Sequence, residues 1–68
     1  MGSWDDPREL ERLPLRPRTL LEKARVTTPR EVSRLSAHDL AKVRGLGQTS
    51  LGQIREWLRH YKLGLREE

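Results

Sequence analysis

Val43-Arg44-Gly45-Leu46-Gly47-Gln48-Thr49-Ser50-Leu51 sets two glycines directly ahead of a stretch in which Leu51, Ile54, Leu58 and Tyr61 recur at i, i+3, i+7 and i+10. That recurrence is one stripe of an α-helix. The bend in front of it has two readings. In one, glycine without a Cβ reaches positive φ and lets another backbone come close. The first helical turn behind it carries N–H groups with no intrahelical partner, which together with the positive end of the helix dipole form an anion site. In the other, Gly-x-Gly is simply a turn between two helices.

Upstream of the bend, Ser36-Ala37-His38-Asp39 reads as a helix start, with Ser36 as cap and Leu40 and Val43 as the buried side. Thr28-Pro29-Arg30-Glu31 has the form of a capping box with proline at the first helical position, opening a short helix over 29–35. Pro17 suits the first turn of a helix over 16–23, whose buried side is Leu20, Leu21 and Ala24, with Val26 closing the loop behind it. Residues 8–13 read either as one helical turn or as an extended lead-in. Residues 1–8 show no periodicity and read as a flexible or partly docked arm, with Trp4 the side chain able to pack back and Met1-Gly2-Ser3 resembling a cloning scar.

Downstream, the helix after the bend is expected to be the longest. Trp57 flanks its stripe and seals one edge of the core, Gly64 marks its end and Leu65 folds back. Strand-like alternation is absent throughout. The expected fold class is therefore all-α: a compact four- to five-helix domain over 9–68 containing a helix-hairpin-helix motif.

At 68 residues the chain holds one domain, able to bury roughly 60 % of its unfolded surface. With no cysteine it has no disulfide framework, no thiolate chemistry and no Cys-based zinc site, which fits a reducing, cytoplasmic home. No apolar run approaches the ~18 residues that span a bilayer, so no membrane role is expected. The net charge of +4 is uneven: residues 14–62 carry eleven Lys/Arg against four Asp/Glu, a balance of +7. Such a surplus favours a polyanionic partner.

Enzymatic chemistry needs a constellation, and none is visible. His38 and His60 belong to no metal-ligand spacing, and the first reads as a solvated position while the second complements a helix C-terminus. Glu22, Glu31, Asp39 and Glu56 each have a local explanation as cap, box or ion-pair partner. Thr49 and Ser50 have no base beside them, so as hydroxyls at a helix start they serve as caps or phosphate donors. The P-loop pattern Gly-x-x-x-x-Gly-Lys is missing. No metal, cofactor or small-molecule substrate is implied.

Two short helices, a Gly-x-Gly hairpin and a longer helix in a basic chain form the helix-hairpin-helix arrangement. The order of residues resembles one family in particular, the C-terminal domain of the bacterial RNA polymerase alpha subunit. The likeness runs from about Leu13 to Leu65 and rests on Leu15-Arg16, Leu21, Val32 with Leu35, Asp39-Leu40 with Lys42, Leu46-Gly47, Ser50-Leu51, Ile54 and Leu63-Gly64-Leu65. Its specific part is the spacing of Arg16 to the Leu-Gly-x-x-Ser-Leu run.

The resemblance implies a non-enzymatic DNA-binding domain that supports transcription beside the bacterial nucleoid. By position, Arg16 would enter the minor groove of A·T-rich double-stranded DNA, and Gly47 and Ser50 would hold phosphate. A narrow A-tract groove has the enhanced negative potential that attracts a guanidinium. Thr19, Gly45, Thr49 and Gln53 stand where the family commonly has asparagine, asparagine, lysine and glutamate. Arg44 and Gln48 complete the expected site, and Arg18, Lys42, Arg44 and Arg55 could supply the charge that Thr49 lacks. RNA polymerase, sigma factor and transcription regulators are the protein partners the family implies, with Glu9 and Glu11 representing the acidic sigma-facing surface and Arg12 breaking its register. A fragment of an alpha subunit and a separate protein with that fold both remain open. So does a competing function, a protein-interaction module of the same fold with little DNA affinity.

Overall fold

A computed structural model describes residues 4–66. The chain forms a 3-10 helix, Pro7–Arg12, followed by α1 Leu15–Lys23, α2 Pro29–Ser33, α3 Ala37–Ala41 and α4 Gln48–Arg59. Among the described residues there is no strand, only an isolated parallel bridge between Ser36 and Arg66. The fold is all-helical with five helices, as the sequence predicts. Met1-Gly2-Ser3 lies outside the described residues.

Residues 7–12, left open between a turn and an extended lead-in, are helical. Asp6 caps them by accepting from the Arg8 amide at 2.9 Å, with Pro7 at the first position. That amide and the Arg8 guanidinium hold the Asp6 carboxyl below its ordinary value. Trp4 sits ahead of this helix with its carbonyl accepting from the Arg30 amide and its ring 5.5 Å from the Arg30 guanidinium, which also pairs with Asp5 at 2.8 Å.

The cap signals place the short helices, with one revision. At α3, Ser36 Oγ accepts from the Asp39 amide at 3.0 Å while Asp39 accepts from the Ser36 amide at 3.1 Å, a complete capping box. The Ser36 amide bond in turn lowers the Asp39 carboxyl from its ordinary range. At α2, Thr28 Oγ accepts from the Glu31 amide at 3.2 Å, but Glu31 reaches back to the Thr28 hydroxyl and the Thr27 amide rather than the Thr28 amide. The α2 helix also stops at Ser33, short of the expected 35. Its last carbonyls are taken by tighter bonds from Arg34 to Glu31 and from Leu35 to Val32.

The core is Leu10, Leu13, Leu21, Val32, Leu40, Leu46, Ile54, Trp57, Leu58 and Tyr61, with Leu20, Val26, Leu35, Val43, Leu51, Leu63 and Leu65 packed partly against it. Two expectations shift here. In α1 the buried pair is Pro17 and Leu21, four residues apart, whereas Leu20 is half-buried and Ala24, already the C-cap, is exposed. In α4 the buried face is centred on Ile54, Trp57, Leu58 and Tyr61, so Trp57 belongs to the core and Leu51 is the flank. Trp57 can be fully enclosed because its indole N–H donates to the Glu9 carbonyl at 2.9 Å. Tyr61 meets it edge-on, with ring centroids 5.7 Å apart, and donates its hydroxyl to Glu9 Oε1 at 2.6 Å.

The α4 helix ends at Arg59, well before Gly64. The next turn closes with Lys62 at φ 58°, its amide bonding the Arg59 carbonyl and the Leu63 amide bonding the Leu58 carbonyl. This is a Schellman cap with lysine in the left-handed position. The end of α1 repeats it with Arg25 at φ 62°. The remaining tail returns along α3, where the Arg66 amide donates to the Leu35 carbonyl at 2.8 Å and the Arg66 guanidinium meets Asp39 at 3.3 Å.

Candidate nucleic-acid interface

The bend between α3 and α4 uses its two glycines differently. Gly45 sits at φ +88°, a conformation that L side chains rarely adopt. A Cβ there would also lie 3.4 Å from Leu20 Cδ2, so the hairpin rests on α1. Gly47, in contrast, is extended at φ −95°, ψ −173°, and a Cβ on it would meet nothing within 4 Å. Neither backbone conformation nor internal packing requires glycine at 47, so positive φ is supplied by Gly45 alone of the two.

Gly47 is also the N-cap of α4, and no side chain caps it. The first-turn amides of α4 therefore face outward without the cap bond that Ser36 and Thr28 supply at α3 and α2. Gln48 and Thr49, at the first two positions of that turn, are exposed. The next residue, Ser50, is only 3 % exposed and lies on the packed face of α4, leaving little of its hydroxyl for a ligand.

The α1 helix packs against α4. Thr49 and Gln53, one turn apart on α4, line a cleft of about 520 Å³ with Arg12, Leu13 and Pro14, the segment that leads into α1. Arg16 follows two residues later and is exposed in the first turn of α1, with Thr19 half-buried one turn on. Arg44 is exposed at the tip of the hairpin beside Gly45.

The cations divide into paired and unpaired. Arg8, Arg12, Arg30, Arg59 and Arg66 are each paired with a carboxylate. Among the described residues the other nine, Arg16, Arg18, Lys23, Arg25, Arg34, Lys42, Arg44, Arg55 and Lys62, have no carboxylate within ion-pair distance. Un-neutralised cations therefore include those of the hairpin and of the first turn of α1, among others spread over the surface.

One residue of this surface was not legible as part of it. Leu15, between Pro14 and Arg16, has the composition of a core position, yet it is 68 % exposed. Only its place at the first helical position, turned away from the Pro17–Leu21 side, puts it in solvent. No family model matches the chain, and no curated protein is found to resemble it. No helix among the described residues is long and apolar enough to cross a membrane.

Proposed function

We propose that this chain is a non-enzymatic DNA-binding domain that contacts A·T-rich minor groove and the flanking phosphates. It would act in bacterial transcription, in the cytoplasm beside the nucleoid, as the C-terminal domain of the RNA polymerase alpha subunit does. The observation that carries the reading is the uncapped start of α4 behind Gly47. A glycine that the described fold does not need leaves room for a phosphate oxygen to reach the first-turn amides, which no side chain among the described residues caps. The Thr49 hydroxyl adds a donor and Arg44 a charge. Arg16, with no carboxylate partner among the described residues, supplies the guanidinium for the groove, and Thr19 a hydroxyl one turn behind it.

With roughly three phosphates neutralised, log affinity for an A·T-rich duplex should fall with log salt at a slope of about −3. Anisotropy titrations at several salt concentrations measure it. Arg16→Ala should weaken binding and erase the preference for A·T over G·C, and unchanged affinity and preference would sink the groove-reader assignment. A domain this small gains useful occupancy when tethered to a larger body such as RNA polymerase, where effective concentration replaces contacts.

A second reading has its own observation. A cleft of about 680 Å³ lies on the other flank of α4, lined by Ala37, His38, Arg55, Arg59, Leu65 and Arg66. In a protein-interaction module this mixed apolar and basic cleft would receive a polymerase subunit or regulator, and DNA affinity would be slight. An NMR titration with a short duplex separates the two. Shifts of the amides at 45–50 support DNA binding, whereas silence there supports the interaction module.

A further inference from the structure

Leu15 stands apart from the other large apolar side chains. Among the described residues only Trp4 and Leu15 are exposed, and the Trp4 ring is occupied by the Arg30 guanidinium. Leu15 is the more exposed at 68 % and belongs to no part of the core. A single exposed leucine is ordinary on a protein surface, but the position of this one is specific. On α1 it is four residues before Thr19, and Arg16 is three before Thr19, so both border the same threonine on one helical surface. The chain therefore presents an apolar side chain and an unpaired guanidinium next to one another, at the helix start nearest the Thr49–Gln53 flank of α4.

We propose that Leu15 is an apolar contact to the minor groove, seated against the deoxyribose edges beside the base edges that Arg16 reaches. The inference rests on the DNA-binding reading. The walls of the groove are sugar C–H surface against which an apolar side chain can be buried, and minor-groove proteins do place leucine and similar side chains in the groove, in their case as wedges between base steps. A guanidinium alone gains attraction that salt screens. The neighbouring leucine adds burial that salt leaves intact and that keeps water from the guanidinium. In the free chain Leu15 contributes no core burial, so its removal separates recognition from folding.

The test compares the wild-type chain, Leu15→Ala, Leu15→Gln and Arg16→Ala on an A·T-rich duplex by fluorescence anisotropy across a salt series, with thermal melts as the folding control. Leu15→Ala should melt like wild type and bind roughly fivefold more weakly at every salt concentration, with the salt slope unchanged. Leu15→Gln, similar in length but polar, should show the same loss. Wild-type affinity in both Leu15 variants, while Arg16→Ala binds weakly, would overturn the role of Leu15 and leave the DNA-binding reading standing. Loss accompanied by a shallower salt slope would also overturn it, because it would mean that the substitution disturbed phosphate contacts. Absence of duplex binding by the wild-type chain, or indifference to Arg16→Ala, would instead remove the reading on which the proposal stands.

Discussion

At Gly45 and Gly47 the same residue type answers two different demands, and substitution should separate them. Gly45→Ala forces a Cβ into φ +88°, so it should lower stability by about 1 kcal/mol, read as a lower denaturation midpoint. Gly47→Ser meets open space in an extended conformation and gives α4 the side-chain cap it lacks. It should raise stability by a few tenths of a kcal/mol, because serine at an N-cap outranks glycine slightly. The serine hydroxyl would then occupy an amide that the proposed phosphate needs, and DNA affinity should fall although the fold is firmer. A Gly47→Ser chain that binds DNA as well as wild type would detach the helix start from the interface. The sequence shows both glycines equally, and only backbone geometry distinguishes them.

At the scale of the element, helix starts were legible, and so was the end of α1 at Lys23, but the ends of α2 and α4 were not. Starts are written in local chemistry: Thr28-Pro29 and Ser36 with Asp39 act within four residues, and they stand where the pattern puts them. Ends depend on where packing stops. Gly64 looked like the stop of α4, yet the helix closes earlier because Leu63 returns to the core with its amide on the Leu58 carbonyl, and Lys62 takes the left-handed position. Arg25 does the same after α1. Non-glycine residues are strained there, so Arg25→Gly and Lys62→Gly should each stabilise the domain by about 0.5–1 kcal/mol. For a domain of this size that is a rise in melting temperature of about 3–6 °C. A lower melting temperature for either variant would contradict the role given to these caps. The buried stripe of α4 stands as read at Ile54, Leu58 and Tyr61, with Trp57 more central and Leu51 more peripheral than expected. Leu51 fits the periodicity, but Trp57 becomes core once the Glu9 carbonyl accepts its N–H.

Across the whole molecule, the 3-10 helix is fastened to the far end of the chain through Glu9, whose carbonyl and carboxylate receive Trp57 and Tyr61. Burial first, and then the Glu9 hydrogen bond and charge, push the Tyr61 hydroxyl from 10.0 up to about 12. The folded chain thus holds the phenol proton more tightly than the unfolded one. Its stabilising contribution is complete below pH 10 and is lost between pH 10 and about 12. Tyr61 is the single tyrosine, so tyrosinate absorbance reports it directly. The midpoint should lie near 12 in the native chain and move down in Glu9→Ala, while staying above 10 because burial persists. A midpoint that does not move in Glu9→Ala would show that the fastening is not made. The bond joins positions 52 residues apart, which no local pattern announces.

By itself, the sequence determined the all-helical class, the capped starts of the short helices, the apolar stripe of the longest one and the surplus of cations in the middle of the chain. These follow from chemistry acting over one or two turns and from composition. The tertiary structure alone decided that Gly47 is free of internal demands, that Ser50 is buried while Leu15 is exposed, and that Thr49 and Gln53 face the entry to α1. Each of these depends on which side of a helix meets another helix, and that is settled by packing between segments distant in the chain.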